Sequence, residues 1–432
     1  MRYFSKEVDR IAIIGMGYVG FPLSLLLSRQ YKVTGFDVDH ERINKMKNGV
    51  SPISEGGIDE LLKNETIRKN IVFTSNPDDI KVAKIKIITV GTPYDLATDY
   101  IDYSQLNSAL DILKGRLNVG DIIILKSTVP PGTTNGIVKK KIENFGFNVP
   151  KDIGLSFSPE RMVEGQAIKD FKTLPKVIGA SDLETRNMCK EIIGSLGGKI
   201  IGVSNIETAE MIKMVDNYSR YVFLALTNEF ALVSEELGVD VLELLESAKD
   251  EYPRNSGLMI PGPGVGGSCL NKDPYILKAY MKKHGLLLKM VDSATIINRD
   301  MPKHVCETVS KLAKERKNIS ILGVAFKGDT DDTRFTPAYE MYNYFKMNNF
   351  NVTLSDPYVK DDHIKIDRDI FSASTNANIL LILTDHSDYK NINLKKLKEL
   401  MDKSPLIFDT RGVVDRSEAT KVGFEYHGLG RL

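Results

Sequence analysis

The chain has 432 residues, 42% of them hydrophobic and 27% charged, which is enough for roughly two or three domains of ordinary globular composition. Its 58 Lys and Arg against 57 Asp and Glu leave a formal charge of +1, so no global field draws in nucleic acid or an anionic membrane. Residues 1–7 lead to an apolar run only at 11–14, which is no signal-peptide core, and no stretch approaches the ~20 apolar residues of a spanning helix. The three cysteines, Cys189, Cys269 and Cys306, form neither a disulfide framework nor a metal knuckle, and the six histidines are scattered. A cytoplasmic, reducing location and metal-free chemistry are expected.

Short β-branched runs at 11–14, 32–36, 86–90, 121–125 and 154–157 alternate with helical patterns, as in an open parallel sheet. From 205 to 238, Met211, Met214, Val215, Tyr218, Val222, Leu226 and Phe230 recur at helical spacing without a proline, which predicts one long helix. It can be a structural spacer or a dimer surface. Helical pattern continues through 239–249, breaks in the proline- and glycine-rich run 252–267 and resumes over 274–288. Strands return at 319–322, 351–354, 379–383 and 406–408, with a helix over 337–347, so a second α/β domain is expected.

Gly15-Met16-Gly17-Tyr18-Val19-Gly20 follows the first strand and opens a helical run, the context in which GxGxxG binds a dinucleotide. Gly15 makes the turn, Gly17 lets backbone N–H groups approach a pyrophosphate, and Gly20 permits close helix–strand packing. Asp37 ends the next strand, where a carboxylate accepts from the adenosine ribose and favours NAD. Arg42 could instead meet a 2′-phosphate, but Asp37 would repel it.

Gly262-Pro263-Gly264-Val265-Gly266-Gly267-Ser268-Cys269 is a loop whose glycines let the backbone fold tightly around a ligand, with Cys269 at its end. Lys272 and Asp273 follow closely enough to influence a thiolate and a proton path. Cys189 and Cys306 read as buried apolar fillers.

Together with these, Val90-Gly91-Thr92-Pro93, the run from Lys126 and Ser127 to Gly132, Ser158-Pro159-Glu160-Arg161, Lys213 with Asn217, and the run from Phe326 and Lys327 to Arg334 occur in order along the chain. In this the chain resembles the UDP-glucose/GDP-mannose dehydrogenase family over nearly its full length. The resemblance implies an α/β fold of two Rossmann-like doubly wound parallel-sheet domains, joined by a long central helix and a helical dimerisation domain. The expected parts are an NAD-binding domain at 1–203, a central domain carrying the cysteine loop at 204–300 and a UDP-sugar-binding domain at 301–432.

It also implies that a sugar alcohol is oxidised twice, by hydride transfer to two NAD molecules. Cys269 would attack the intermediate aldehyde, and a thioester would then be hydrolysed. Lys213 would stabilise alkoxide charge, while Asp273 and a water held with Thr128 and Asn217 would accept the alcohol proton. Glu164 matches the glutamate that activates water and approaches the nicotinamide. The implied NAD contacts are Gly15, Gly17, Tyr18, Val19, Gly20, Asp37, Arg42, Gly91, Thr92, Pro93, Ser127, Thr128, Glu164 and Arg334. For the UDP-sugar the resemblance points to Glu160, Arg161, Lys213, Asn217, Arg254, Gly266, Gly267, Lys272, Phe326, Lys327 and Arg411, and to a homodimer or higher homo-oligomer.

The stretch from Gly17 to Leu23, the glycine loop and Asp273-Pro274-Tyr275 resemble the branch acting on UDP-N-acetylhexosamines, with UDP-N-acetylmannosamine expected first. Ser268 before the cysteine, and Lys272-Asp273, look instead like the UDP-glucose branch, which keeps UDP-glucose and UDP-N-acetylglucosamine as alternatives. A 3-hydroxyacid dehydrogenase or an NAD-sensing protein would share the fingerprint but has no use for Cys269, Lys213, Asn217 and Asp273 together.

Overall fold

The structure, a computed structural model, describes residues 8–53 and 55–432. The reading of residues 1–7 therefore lies outside the described residues. The chain divides between Asp216 and Asn217 into two compact units.

The first unit is built on an eight-stranded sheet. Its strands are β1 (Arg10–Ile14), β2 (Lys32–Phe36), β3 (Ile71–Thr74), β4 (Ile85–Ile88), β5 (Ile122–Leu125), β6 (Gly154–Phe157), β7 (Lys176–Ala180) and β8 (Ile200–Gly202). Their spatial order is β8-β7-β6-β5-β4-β1-β2-β3. Neighbours run parallel except β6 and β7. The order 3-2-1-4-5-6 of the first six strands is the doubly wound dinucleotide topology, in which ligands sit beyond the carboxyl ends of β1 and β4, where the winding reverses.

Both faces of that sheet are covered. Ile11 and Ile13 of β1 pack into one core, with Phe21, Leu25 and Ile87, while Ala12 and Ile14 pack into another, with Leu110, Ile123 and Phe157. Such double burial is why the strands read as continuous apolar runs instead of alternating ones. Helix α1 (Gly20–Leu27) follows β1 directly and is buried at every position.

The second unit has six parallel strands, β9 (Asn318–Leu322), β10 (Asn351–Ser355), β11 (Ile366–Asp367), β12 (Ile379–Ile382), β13 (Leu406–Asp409) and β14 (Glu425–Gly428). Their order, β11-β10-β9-β12-β13-β14, repeats the 3-2-1-4-5-6 winding. Ile319, Ile321, Leu381 and Phe408 face one core; Leu322, Leu380, Ile382 and Ile407 face the other.

Helix α2 (Ile206–Leu237) is 32 residues long and contributes residues to both units. It is followed by α3 (Val241–Lys249), α4 (Asp273–Lys283) and α5 (Lys289–Ala313). The helical pattern read from sequence ends at 288 and did not include α5, a 25-residue helix that holds Pro302 in its interior, buried with Val305, Cys306 and Val309. Among the described residues no helix is long and apolar enough to cross a membrane.

Candidate active site

The three fingerprint glycines occupy three different environments. Gly15 adopts φ +99°, a conformation that favours glycine, and its N–H donates to the Phe36 carbonyl at 2.8 Å, which turns the chain sharply at the end of β1. A Cβ on Gly17 would meet nothing within 4 Å, whereas one on Gly20 would lie 1.9 Å from the Gly15 carbonyl oxygen. So the middle glycine faces open space, and the last is where helix meets turn. No side-chain cap bonds the amino end of α1; within its first turn the Phe21 N–H donates to the Gly17 carbonyl at 3.1 Å and Pro22 has no N–H, so what the end offers an anion is its dipole and the glycine turn before it.

Asp37 is buried, and its Oδ2 accepts from the Met16 N–H at 2.7 Å and from Arg42 Nη1 at 3.1 Å. Arg42 is thereby paired with the carboxylate beside the ribose position, a partnership the sequence reading had not foreseen. At the switch point, Thr89 Oγ1 donates to the Gly15 carbonyl at 2.7 Å, and Ser127 Oγ donates to the Val90 carbonyl at 2.6 Å. Gly91 N–H is held by Gln105 Oε1 at 3.1 Å, Thr92 is buried and Pro93 is exposed. This acid, the open glycine and the uncapped helix suit a dinucleotide.

Beyond the carboxyl ends of β5 and β6 the charged residues are fixed in pairs. Lys126 Nζ meets Glu160 Oε2 at 3.2 Å, and Glu160 Oε1 accepts from the N–H groups of Arg161 and Met162 at 2.8 and 2.9 Å. Arg161 grips Asp216 of α2 with two bonds, at 2.7 and 3.1 Å. Both residues thus anchor the segment that carries the half-buried Glu164. Thr128 is also half-buried, and Lys213 is buried on α2 within the same unit.

One turn before Lys213, Glu210 is fully buried. It accepts from the N–H groups of Gly132 and Thr134 at 2.5 and 2.8 Å and from Thr134 Oγ1 at 2.5 Å. It tethers the Thr128–Gly132 turn to the lysine-bearing helix. Nothing in the sequence distinguished it from an ordinary helix glutamate. Burial pushes its carboxyl up to about 7, and the bonds from Thr134 and Gly132 offset that only in part. Its protonated form is therefore favoured by folding: the associated stability is fully present below the ordinary value of 4.5 and is lost as pH rises through about 7. Thermal unfolding between about pH 5 and about pH 7.5 will show a fall in Tm that Glu210→Gln removes. Parallel Tm curves for the two proteins would contradict this.

In the second unit the cysteine loop is seated on the sheet. Gly266 and Gly267 pass so close to Phe326 that a Cβ would fall 2.1 Å from its Cβ and 2.7 Å from its ring, respectively. The Gly267 N–H donates to the Arg334 carbonyl at 2.8 Å, and Asn271 Nδ2 donates to the Val265 and Gly267 carbonyls at 2.8 and 3.0 Å. Two buried asparagines, also unmarked by sequence, steady its start: Asn228 Oδ1 accepts from Gly262 N–H at 2.9 Å, and Asn228 Nδ2 donates to Asn298 Oδ1 at 3.0 Å.

The loop delivers Cys269 just ahead of α4, where its carbonyl accepts from the Asp273 N–H at 2.8 Å. Cys269 is exposed, whereas Cys189 and Cys306 are buried, and burial pushes both of those thiols up to about 12. Asp273 is buried, accepts from Asn217 Nδ2 at 2.6 Å through Oδ2, and has Lys272 Nζ 3.9 Å from Oδ1. Cys269, Lys272, Asp273 and Asn217 are therefore brought together in this unit.

Arg411 Nη1 donates to the Pro261 carbonyl at 3.4 Å beside the same loop. Lys327 follows Phe326 in the first turn after β9. Arg334 clasps Asp332, with bonds from Nε and Nη2 at 2.6 to 3.1 Å. Arg254 is exposed, with its guanidinium 5.9 Å from the Tyr252 ring centre.

Comparison with known proteins gives this arrangement a family. Models of the NAD binding, central and UDP binding domains of the UDP-glucose/GDP-mannose dehydrogenase family match residues 9–196, 207–300 and 320–416. UDP-N-acetyl-D-mannosamine dehydrogenase of Methanococcus aeolicus is 34% identical, over 98% of this chain and 96% of its own. UDP-glucose 6-dehydrogenase of Rickettsia conorii is 29% identical, over 97% and 99%. The solved UDP-D-ManNAc dehydrogenase of Pyrococcus horikoshii superposes with a TM-score of 0.87 at 32% identity, covering 98% of this chain and 99% of that one. The chain belongs to the UDP-glucose/GDP-mannose dehydrogenase family and is an NAD-dependent nucleotide-sugar dehydrogenase.

Proposed function

We propose that the chain oxidises the C6 hydroxymethyl of UDP-N-acetyl-D-mannosamine to a carboxylate, with Cys269 as covalent nucleophile. The observation that carries this reading is the exposed Cys269, held by a glycine loop at the approach to α4 with Asp273 and Asn217 at its side. NAD, bound and exchanged between the two oxidations, would take up one hydride in each. In the first oxidation the alcohol proton passes to a water held by Asp273, Asn217 and Thr128, and Lys213 stabilises the alkoxide charge.

The Cys269 sulfur then bonds to the aldehyde carbon, and the thiol proton ends on the carbonyl oxygen, giving a thiohemiacetal. Loss of a second hydride and that proton leaves a thioester. Water, activated by Glu164, attacks the thioester carbon, breaks the C–S bond and returns the thiol, releasing the carboxylic acid. The covalent bond also keeps the aldehyde from escaping. On the UDP side, Phe326, Lys327, Lys272 and Arg411 would serve the nucleotide and its phosphates, the cations by charge.

The choice of sugar is supported by the names carried by the Methanococcus and Pyrococcus relatives, which are somewhat more similar than the Rickettsia enzyme. A homodimer is supported by Leu226, Phe230, Val233 and Leu237, spaced along one stripe of α2 and exposed by 36, 37, 48 and 69%. A cytoplasmic setting fits a thiol that must stay reduced.

Purified protein with NAD and, separately, UDP-N-acetylmannosamine, UDP-N-acetylglucosamine, UDP-glucose and GDP-mannose will test the reading by NADH yield and product mass. UDP-N-acetylmannosamine should give about two NADH per uronic acid and a kcat/KM at least about tenfold above the others. A higher value for UDP-glucose would overturn the sugar, and no NADH from any of them would overturn the function.

A further inference from the structure

The second unit repeats the local geometry of the first at its own switch point, but closes it. Gly323 ends β9 with φ +95°, and its N–H donates to the Ser355 carbonyl at 2.8 Å, as Gly15 does to Phe36. Asp356 ends β10 as Asp37 ends β2. Its Oδ2 accepts from the N–H groups of Val324 and Ala325 at 2.8 and 2.9 Å, where Asp37 accepts from Met16.

The difference is what meets the acid. Asp37 lies beside a partly exposed Arg42, whereas Asp356 is fully buried and bonded to His386 Nε2 at 3.0 Å, itself fully buried after β12. Burial by itself would raise the Asp356 carboxyl; the bond from His386 and those from the backbone N–H groups hold it below the ordinary range. The other ring nitrogen, Nδ1, accepts from the Asp329 N–H at 2.9 Å, so the ring proton sits on Nε2, facing the carboxylate. Tyr358 and Tyr389 enclose the imidazole, each with its ring centre 5.1 Å away.

His386 thus holds both ends of one short turn: its start through Asp356, at Val324 and Ala325, and its finish directly, at Asp329. Between those anchors stand Phe326, on which Gly266 and Gly267 rest, and Lys327. Asp329 closes the far side by accepting from Ser387 N–H and Oγ at 2.8 and 2.6 Å.

We propose that His386 is a positioning residue for the UDP end of the substrate: clamped between Asp356 and the Asp329 amide, it fixes the 324–329 turn and so the placement of Phe326 and Lys327. Fully buried, it acts through that turn and not by contact with a ligand. This rests on the reading that the second unit takes the UDP group. It also gives the acid of the second switch point a role other than holding a ribose, since its oxygens are spent inside the protein.

The test uses His386→Ala, His386→Asn and His386→Gln, with UDP and NAD binding measured by calorimetry and kcat and KM measured for the UDP-sugar. Asparagine keeps an acceptor for the Asp329 amide and glutamine keeps a donor for Asp356, so each should recover part of what alanine loses. The alanine variant should bind UDP about tenfold or more weakly and raise KM in parallel. Its NAD affinity should stay within about twofold and kcat should fall less than KM rises. Wild-type UDP affinity in all three variants would overturn the proposal. So would an equal loss of NAD affinity, or failure of all three to fold, either of which would make His386 general scaffold. A wild type that turns over UDP-sugars yet shows unchanged variants defeats this inference alone; one that binds no UDP defeats the underlying reading.

Discussion

Cys269→Ala will lower net uronic acid formation by about three orders of magnitude or more while leaving NAD affinity within about twofold. The two halves of the four-electron oxidation make different demands. The first needs only a hydride acceptor, a proton acceptor and charge stabilisation at the alkoxide, which Asp273, Asn217, Thr128 and Lys213 supply in the proposed mechanism. The second needs an adduct from which hydride can leave, and Cys269 is the nucleophile proposed to form it. The variant should therefore stall after the first oxidation. In a single turnover it should release about one NADH per sugar at most, with a product that a hydrazine reagent traps as an aldehyde.

The other thiols provide the control. Cys189 and Cys306 are buried, and burial holds their thiols near 12, so neither can replace the exposed Cys269 as a thiolate. Cys189→Ala should cost stability through a lost core contact but leave the NADH stoichiometry at about two. If Cys269→Ala still gave two NADH per uronic acid, covalent catalysis would be wrong and a hydrated aldehyde would be the second substrate.

What the sequence disclosed and what it hid divide along a physical line. Residues 11–14, 122–125, 379–382 and 406–408 are legible as strands because burial on both faces leaves uninterrupted apolar runs between glycines and charges. β3, β8, β11 and β14 lie at sheet edges, with exposed or half-buried residues that blur the pattern, and they were not read; β7 is buried throughout and was missed as well, its short run opening on Lys176 and broken by Gly179. Gly15, Asp37 and Cys269 could be singled out because their chemistry is tied to a local motif. Glu210, Asn228 and His386 act across 76, 34 and 57 residues of chain, on Thr134, Gly262 and Asp329, and no local pattern marks such partners.

The same distinction applies to charged residues. Arg42, Arg161 and Arg334 are the type expected at a phosphate or carboxylate, and Glu160 that expected at a sugar hydroxyl, yet each is paired inside its own unit, with Asp37, Asp216, Asp332 and Lys126 in turn. Residue type and order identify the family. Which cations can reach a ligand depends on partners that only the fold assembles.

Gly17→Ala and Gly20→Ala will separate a loss of binding from a loss of fold within one six-residue motif. At Gly17 a Cβ meets nothing within 4 Å, so the substitution should leave Tm within about 1 °C. The added methyl does occupy space in front of the α1 amino end, where a pyrophosphate must come close to the backbone N–H groups. NAD affinity should therefore fall about a hundredfold or more. At Gly20 the Cβ would stand 1.9 Å from the Gly15 carbonyl oxygen and 2.5 Å from Thr89 Oγ1. Because the nearer contact is backbone, α1 must move away from the turn. That shift would disturb the buried face of α1 in the first core, and Tm should fall by several degrees along with NAD affinity. Calorimetric NAD binding beside thermal unfolding distinguishes the two. A Gly17 variant that unfolds early, or binds NAD normally, would mean that the open side of this loop is not where the dinucleotide lies.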